Sequence, residues 1–357
     1  ARPTPLTMLE RLFAAVKSVG TSERRLYKDS KKRLGWLLSL LFVNYVVQFA
    51  LPFFWKGWYG MPAVGYLHLL VTLAGLVFSL FAFHLDPLRA PTLTSAALLL
   101  VLVNSRGLGD HRFKLSPPPA GALASPLAPE EAVDPWLTHA DGEPVLVIVA
   151  AAGGGIQSAA WTARVLTGLP ELFGPRLAPS LRLVSAVSGG SVGSLFFVDG
   201  YKGAEPPRYS DLRPRLETMA RESLQAAAWG MACPDFLRLF VPFVNFQEDR
   251  AWALEQVWRR YLLKQDETLF GVTAAVKAGL RPGLAFGSTV LETGSPSILS
   301  SLSVDQRSDF LALRRGGLGA DLPLTTAARL SATFPYVTPI AAPAGVLDAF
   351  HFADGGY

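Results

Sequence analysis

Residues 181–197 read LRLVSAVSGGSVGSLFF, an apolar run that changes into small residues at Ser188. The run has the length and β-branched content of a buried strand, and the small residues lead into a stretch that fits a helix. A serine between such a strand and helix matches the G-x-S-x-G turn, in which small neighbours allow a strained, accessible nucleophile. Here Ala186 replaces the first glycine, and Gly189 and Gly190 follow the serine. The stretch predicts either a Ser188 nucleophile or an ordinary small-residue turn in a buried α/β unit.

The alternation of strand and helix continues on both sides of this stretch. Residues 144–151 (PVLVIVAA) read as a buried parallel strand, followed by a glycine cluster and a helix pattern. Farther along, 282–292 (PGLAFGSTVLE) read as a strand, 325–334 (TTAARLSATF) as a helix and 351–356 (HFADGG) as a last strand. This order predicts an α/β fold with a central sheet and helices on both faces.

Three glycines, Gly153, Gly154 and Gly155, follow the first strand and open a helix. Their backbone N–H groups are free to approach a ligand, and they lie at the positive end of the helix dipole. Such a loop suits an anion or an oxyanion. A dinucleotide fingerprint fits less well, because Ser158 stands at its third glycine position and no acidic residue ends the second strand. A purely structural turn stays open as an alternative.

The N-terminal part of the chain is basic and then strongly apolar. Residues 1–33 hold nine Lys and Arg against three acidic residues, whereas the whole 357-residue chain has a net charge of +5. The runs 34–55 and 61–85 contain no Asp, Glu, Lys or Arg, and about 20 apolar residues are enough to cross a bilayer. Because basic residues beside apolar runs mark the cytoplasmic side, the sequence predicts a basic cytoplasmic tail and an integral membrane protein.

A third apolar run, 90–105, is shorter, so the predicted transmembrane region 34–105 has two or three spans. Two spans keep the rest of the chain cytoplasmic and three export it, so the side of the globular part stays open. Residues 106–143 are rich in Pro and Ala without a helix or strand period, which predicts a linker.

The residue types also exclude several kinds of site. The single Cys233 excludes an internal disulfide, and the scattered histidines show no metal-ligand spacing, so we expect no metal or other cofactor. No basic groove or aromatic stacking platform follows the basic tail, which argues against nucleic acid as a partner.

A serine nucleophile needs a base, and two candidates follow Ser188. His351 is the only downstream histidine and has Asp348 three residues before it, which leaves open a triad of the α/β-hydrolase type. Asp354 ends the last apolar strand before two glycines, where a carboxylate could reach the serine directly. An Asp-Gly pair is also a common turn, so Asp354 has a structural interpretation as well.

In order and spacing, the Gly-Gly-Gly loop, the Ser188 turn and the closing Asp-Gly-Gly resemble the patatin-like phospholipases over residues 144–357. That family's pattern is D-G-G-G-x-R-G, then G-x-S-x-G, then D-G-G/A. The stretches PGLAFGSTVLETG and ARLSATFPYVTP also resemble segments of the family. The resemblance implies a three-layer α/β/α sandwich with a mostly parallel sheet, in a membrane-anchored member of the bacterial type located in the inner membrane.

The resemblance also implies an activity and a set of site residues. Ser188 would be the nucleophile and Asp354 the base of a Ser–Asp dyad. The oxyanion hole would be Gly153, Gly154 and Gly155, and the elbow would include Ala186, Gly189 and Gly190. The implied activity is that of a serine lipid acyl hydrolase, a phospholipase A-type enzyme or a lysophospholipase. It would cleave acyl esters of membrane phospholipid or another lipid without a cofactor.

Departures from the family pattern qualify this expectation. Ala152 replaces an Asp that is not the catalytic one, and Gln157 and Ser158 replace Arg and Gly, which removes a positive charge beside the oxyanion hole. The family's motif continues after its Asp, so we expect that the catalytic domain is truncated after Tyr357. Two rival interpretations stay open: an esterase that uses the histidine as its base, and a membrane-anchored lipid-binding pseudoenzyme.

Overall fold

The computed structural model of the protein describes a series of segments with gaps between them. They are residues 36–37, 39–51, 54, 60–85, 91–105, 110–117, 127–139, 145–174, 177–239, 248–303, 321–345 and 350–357. The basic tail predicted at 1–33 lies outside them. The chain divides into two compact units, Ala1–Gly60 and Met61–Tyr357.

In the first unit, residues 39–51 form α1. Across all segments that the structure describes, no helix combines the length and the apolar character needed to cross a membrane. Parts of the predicted transmembrane region 34–105, among them residues 52–53, 55–59 and 86–90, lie outside the described residues.

The second unit is built on a seven-stranded sheet with the order β1-β6-β7-β4-β3-β2, in which β5 also pairs with β4. The strands are β1 (His111–Phe113), β2 (Val147–Ala151), β3 (Leu181–Val187), β4 (Gly283–Val290), β5 (Ser295–Ser300), β6 (Ala341–Pro343) and β7 (Phe352–Asp354). β2, β3 and β4 are mutually parallel, and β1 is parallel to β6. β5 and β7 run antiparallel to β4. Because β6 pairs antiparallel with β7, it runs in the direction of β4, and five of the seven described strands share that direction. The predicted α/β class with a central sheet is confirmed, and the described sheet is mostly parallel, with β5 and β7 running the other way.

Helices follow the strands and pack around the sheet. They are α2 (Ala63–Leu85), α3 (Thr92–Ser105), α4 (Pro129–His139), α5 (Gly155–Phe173), α6 (Leu177–Ser180), α7 (Gly189–Asp199), α8 (Tyr209–Gly230), α9 (Phe236–Arg238), α10 (Arg250–Tyr261), α11 (Thr273–Lys277) and α12 (Leu324–Ser331). A π-helical turn, Met231–Asp235, joins α8 to α9. Every residue of α7 is buried, which explains why its sequence has no polar face. This helix contacts α5, α8 and α12, so the segment after Ser188 lies at the centre of the helical layer.

Two elements lie within the segment predicted as a linker, 106–143. β1 is an end strand of the described sheet, and its His111 Nδ1 is 2.8 Å from Asp249 Oδ1, with both side chains buried. α4 contacts α11, and Ala132 of α4 belongs to a small buried cluster with Leu302. A strand of three residues is too short to show a period, so tertiary contacts rather than the local pattern determine β1.

The apolar helix α2 packs against α8 and the π-helical turn. Tyr66 and Leu69 are buried there, whereas Val64 and Val71 are exposed. One side of this helix is therefore part of the core of the second unit.

Candidate active site

Ser188 lies at the turn between β3, which ends at Val187, and α7, which begins at Gly189. Its backbone has φ 55° and ψ −125°. Among the described residues other than glycine, only Ser188 and Tyr336 have a positive φ. A side chain disfavours this region by about 1–3 kcal/mol, and residues held there cluster at active sites. The local geometry is that of a nucleophile elbow.

The small residues around Ser188 are required by backbone contacts. A Cβ at Gly189 would lie 2.0 Å from the carbonyl oxygen of Gly155, and one at Gly190 would lie 2.7 Å from that of Ala151. Ala186, which stands where the pattern has its first glycine, pairs with Ala151 and with Phe286 in the sheet. Its methyl group is buried, so the fold accommodates alanine at this position.

The glycine loop lies directly against the elbow. A Cβ at Gly153 would be 3.0 Å from Ser188 Cβ and 3.6 Å from Ser188 Oγ. Gly154 and Gly155 have φ values of 143° and 60°, and α5 begins at Gly155. The first N–H groups of a helix have no partner within the helix, so this loop presents backbone donors beside the serine.

Ser158 fixes the glycine loop, a role that the sequence did not indicate. Its hydroxyl donates to the carbonyl oxygen of Ala152 at 2.5 Å, and its N–H donates to the carbonyl oxygen of Gly154 at 3.4 Å. A cavity of about 530 Å³ between β2 and α5 borders the same loop and is lined by Gly153, Gln157 and Trp161 among others. The loop is therefore both ordered and accessible.

Asp354 is brought to Ser188 by the pairing along β4. β5 fills one edge of β4 from Ala285 to Val290, so β3 and β7 share the other edge. Along that edge β3 pairs with β4 as far as Val187–Gly287, and β7 pairs with it from Asp354–Ser288 onward. Because Gly287 and Ser288 are consecutive, the end of β7 meets the end of β3. The elbow serine is the next residue after Val187, so both candidate dyad residues lie at the same point of the sheet.

The Asp354 carboxylate is buried but only partly hydrogen-bonded. The side chain is 3% exposed. Its Oδ1 accepts a hydrogen bond from the N–H of Gly356 at 2.9 Å, whereas Oδ2 accepts none from any described residue. Buried polar atoms are normally paired, so an open acceptor at the strand end that meets the elbow is a functional signal.

The competing hydroxyls and the alternative base lie in other environments. Ser185 is an exposed residue within strand β3 and not at its end. The hydroxyl of Ser191 is buried and hydrogen-bonded to that of Ser331. His351 has carboxylates on both ring nitrogens: Nε2 is 3.2 Å from Asp110 Oδ2 and Nδ1 is 2.5 Å from Glu292 Oε1. Asp348, its predicted partner, lies outside the described residues.

The direction of the Glu292 pKa shift is consistent with the pairing of His351 with this carboxylate. Burial raises the pKa of Glu292, but hydrogen bonds from the ring and backbone N–H of His351 outweigh it and hold the pKa below its usual range. His351 also precedes Asp354 by three residues on the strand, about 10 Å at ~3.3 Å per residue. The structure does not bring this histidine together with Ser188.

No family model matches the sequence, and no curated protein matches it. Two solved structures share a limited similarity. VipD from Legionella pneumophila is 13% identical with a TM-score of 0.34, over 69% of this chain and 49% of VipD. ExoU of Pseudomonas aeruginosa, solved as a heterodimer with SpcU from the type III secretion system, is 17% identical with a TM-score of 0.30. That match covers 54% of this chain and 36% of the other, so the chain spans about half of VipD and about a third of ExoU.

Proposed function

We propose that this protein is a serine lipid acyl hydrolase, of the phospholipase A or lysophospholipase type, with Ser188 as nucleophile and Asp354 as base. One observation carries the proposal. The strained elbow serine, the glycine loop and a buried carboxylate with an open oxygen meet at the ends of β3 and β7.

The proposed reaction has two stages and balances without a cofactor. Asp354 Oδ2 takes the Ser188 proton while Oγ attacks the ester carbonyl carbon. The N–H groups of Gly153, Gly154 and Gly155 donate to the oxyanion, and the alcohol leaves with the proton from Asp354. Water then gives a proton to Asp354 and attacks the acyl-enzyme. Ser188 Oγ leaves with that proton, which releases the fatty acid and restores both the serine and the carboxylate.

A lipid ester is the substrate class that the surroundings favour. Phe334, Tyr336 and Tyr357 are 52%, 86% and 64% exposed, and the rings of Phe334 and Tyr357 are 6.2 Å apart. The N–H of Asp354 donates to the carbonyl oxygen of Thr333, the residue before Phe334, so the Phe334–Tyr357 pair belongs to the segments that meet at the candidate base. Exposed aromatic groups beside a reactive site suit an amphiphilic substrate. The order of the motifs, which resembles the patatin-like phospholipases, supports the same class.

The proposal extends to a membrane location with a cytoplasmic N-terminus. Its support is the sequence: a basic tail precedes the uncharged runs 34–55 and 61–85. Cell fractionation with a carbonate wash tests it. Recovery of the full chain in the washed supernatant would contradict this part of the proposal and leave the chemistry untouched.

The activity is tested by fluorophosphonate labelling with mass-spectrometric mapping, together with hydrolysis of p-nitrophenyl butyrate and a panel of phospholipids and lysophospholipids. We expect the adduct on Ser188, a loss of at least about 10³-fold in kcat for Ser188→Ala, and about 10²-fold or more for Asp354→Asn. Ser185→Ala is the matched control and should leave both readouts unchanged.

The same experiment separates the rivals. Loss of hydrolysis in His351→Ala, with the Asp354 variant active, would establish the esterase that uses histidine. Lipid binding without an adduct or any hydrolysis would establish the pseudoenzyme.

A further inference from the structure

Ser331, the last residue of α12, is hydrogen-bonded to the backbone of the Ser188 elbow. It is fully buried. Its Oγ lies 3.0 Å from the backbone N of Ser188 and 2.8 Å from Ser191 Oγ, and it is hydrogen-bonded to the carbonyl oxygen of Gly287. One hydroxyl therefore joins the elbow, the start of α7 and the middle of β4.

The direction of each hydrogen bond follows from the chemistry of the partners. The carbonyl oxygen of Gly287 can only accept, so the single hydroxyl proton of Ser331 points to it. The Ser331 oxygen then accepts from the Ser188 N–H and from the Ser191 hydroxyl. All three hydrogen-bonding positions of Ser331 are filled, which fixes its orientation and that of the Ser188 peptide group.

The backbone at the end of α12 is also hydrogen-bonded to Asp354, the proposed base, and to the next residue, Gly355. The carbonyl oxygen of Ser331 accepts from the N–H of Gly355 at 3.2 Å, and that of Thr333 accepts from the N–H of Asp354 at 2.9 Å. The last carbonyls of a helix have no partner inside it and are free for such contacts. The end of α12 is thus bonded to the residues on both sides of the proposed proton transfer.

We infer that Ser331 is a positioning residue for the Ser188–Asp354 pair, an inference that rests on the proposed hydrolase function. It acts through the Ser188 peptide group and does not touch the reacting atoms. Because the Ser188 N–H is occupied by Ser331, it is unavailable to an oxyanion. The serine is thereby held in its strained conformation facing the glycine loop, whose N–H groups are the proposed oxyanion donors.

The test compares Ser331→Ala with Ser194→Ala in the full chain. Ser194 is also fully buried, but its hydroxyl donates only to the carbonyl oxygen of Gly190 within α7. The readouts are kcat and KM for p-nitrophenyl butyrate, the rate of fluorophosphonate labelling and the urea midpoint. We expect Ser331→Ala to lower kcat and the labelling rate roughly 10- to 100-fold at nearly constant KM, as misplacement of a reacting group does. Ser194→Ala should share the small shift in midpoint and keep its kcat.

A second pair separates positioning from packing if Ser331→Ala folds poorly. Ser331→Thr and Ser331→Val have the same shape and differ by the hydroxyl, so we expect higher kcat in the threonine variant at a similar midpoint. Equal kcat in the threonine and valine variants would overturn the positioning role of Ser331. Equal kcat in Ser331→Ala and Ser194→Ala would do the same, and neither result would affect the proposed hydrolase function. A wild-type protein that neither hydrolyses esters nor labels at Ser188 would instead overturn the proposed function, and the inference with it.

Discussion

The strain at Ser188 can be measured as a difference in stability between two inactive variants. Ser188→Gly and Ser188→Ala both remove the hydroxyl, but only alanine keeps a Cβ at φ 55° and ψ −125°. The strain relieved by glycine is about 1–3 kcal/mol. It is opposed by the greater freedom of glycine in the unfolded chain, about 0.5–1 kcal/mol. We therefore expect Ser188→Gly to be more stable than Ser188→Ala by about 1 kcal/mol.

Ser194 supplies the reference for this comparison because it lies in α7, the buried helix that follows Ser188, and has no positive φ. There, glycine should be less stable than alanine by about 1 kcal/mol. The entropy cost of glycine is common to both positions, so the difference between the two alanine-to-glycine changes isolates the strain. Urea unfolding followed by tryptophan fluorescence gives both values. If the change from alanine to glycine lowers the free energy of unfolding as much at position 188 as at position 194, the backbone of Ser188 is not strained.

Three further variants and one chemical probe test other parts of the structure. Gly190→Ala places a Cβ 2.7 Å from the Ala151 carbonyl oxygen and should lose about 1–3 kcal/mol of stability together with activity. Gly168→Ala, which has open space in α5, should be neutral or stabilising in the same urea titration. Tyr66→Ala removes a fully buried ring from α2 and should cost about 3–5 kcal/mol, whereas an unchanged midpoint would show that α2 does not pack on this unit. Burial raises the pKa of Cys233 to about 12, so the thiol should react with a disulfide reagent at pH 8 only after unfolding.

The sequence predicted the parts of the site that depend on local pattern. The β3–elbow–α7 unit follows from an apolar run, a serine and two glycines, and the Gly153–Gly155 loop follows from its position after a strand. Both patterns fall within a few consecutive residues, and the elements between 181 and 197 lie where the pattern predicts them.

The parts that depend on tertiary contacts could not be predicted. β2 was expected to be fully buried, but it has Ile148 57% exposed because it lies at the end of the described sheet. β1 depends on pairing with β6 and on the contact of His111 with Asp249, which are far apart in the sequence. The role of Ser331 could not be predicted for the same reason, because its hydrogen-bond partners Ser188 and Gly287 are distant in the sequence.

The choice of aspartate over histidine as the proposed base follows from strand direction. If β7 had run parallel to β4, its first residues and not Asp354 would have approached the end of β3. Running antiparallel, β7 ends where β3 ends, and His351 is carried away along β4 toward Glu292. A one-residue slip of β7 would turn Asp354 to the opposite face of the sheet. The bonds from the end of α12 to Asp354 and Gly355 oppose that slip. The register of a three-residue strand, fixed by a neighbouring helix, therefore decides which carboxylate can serve the serine.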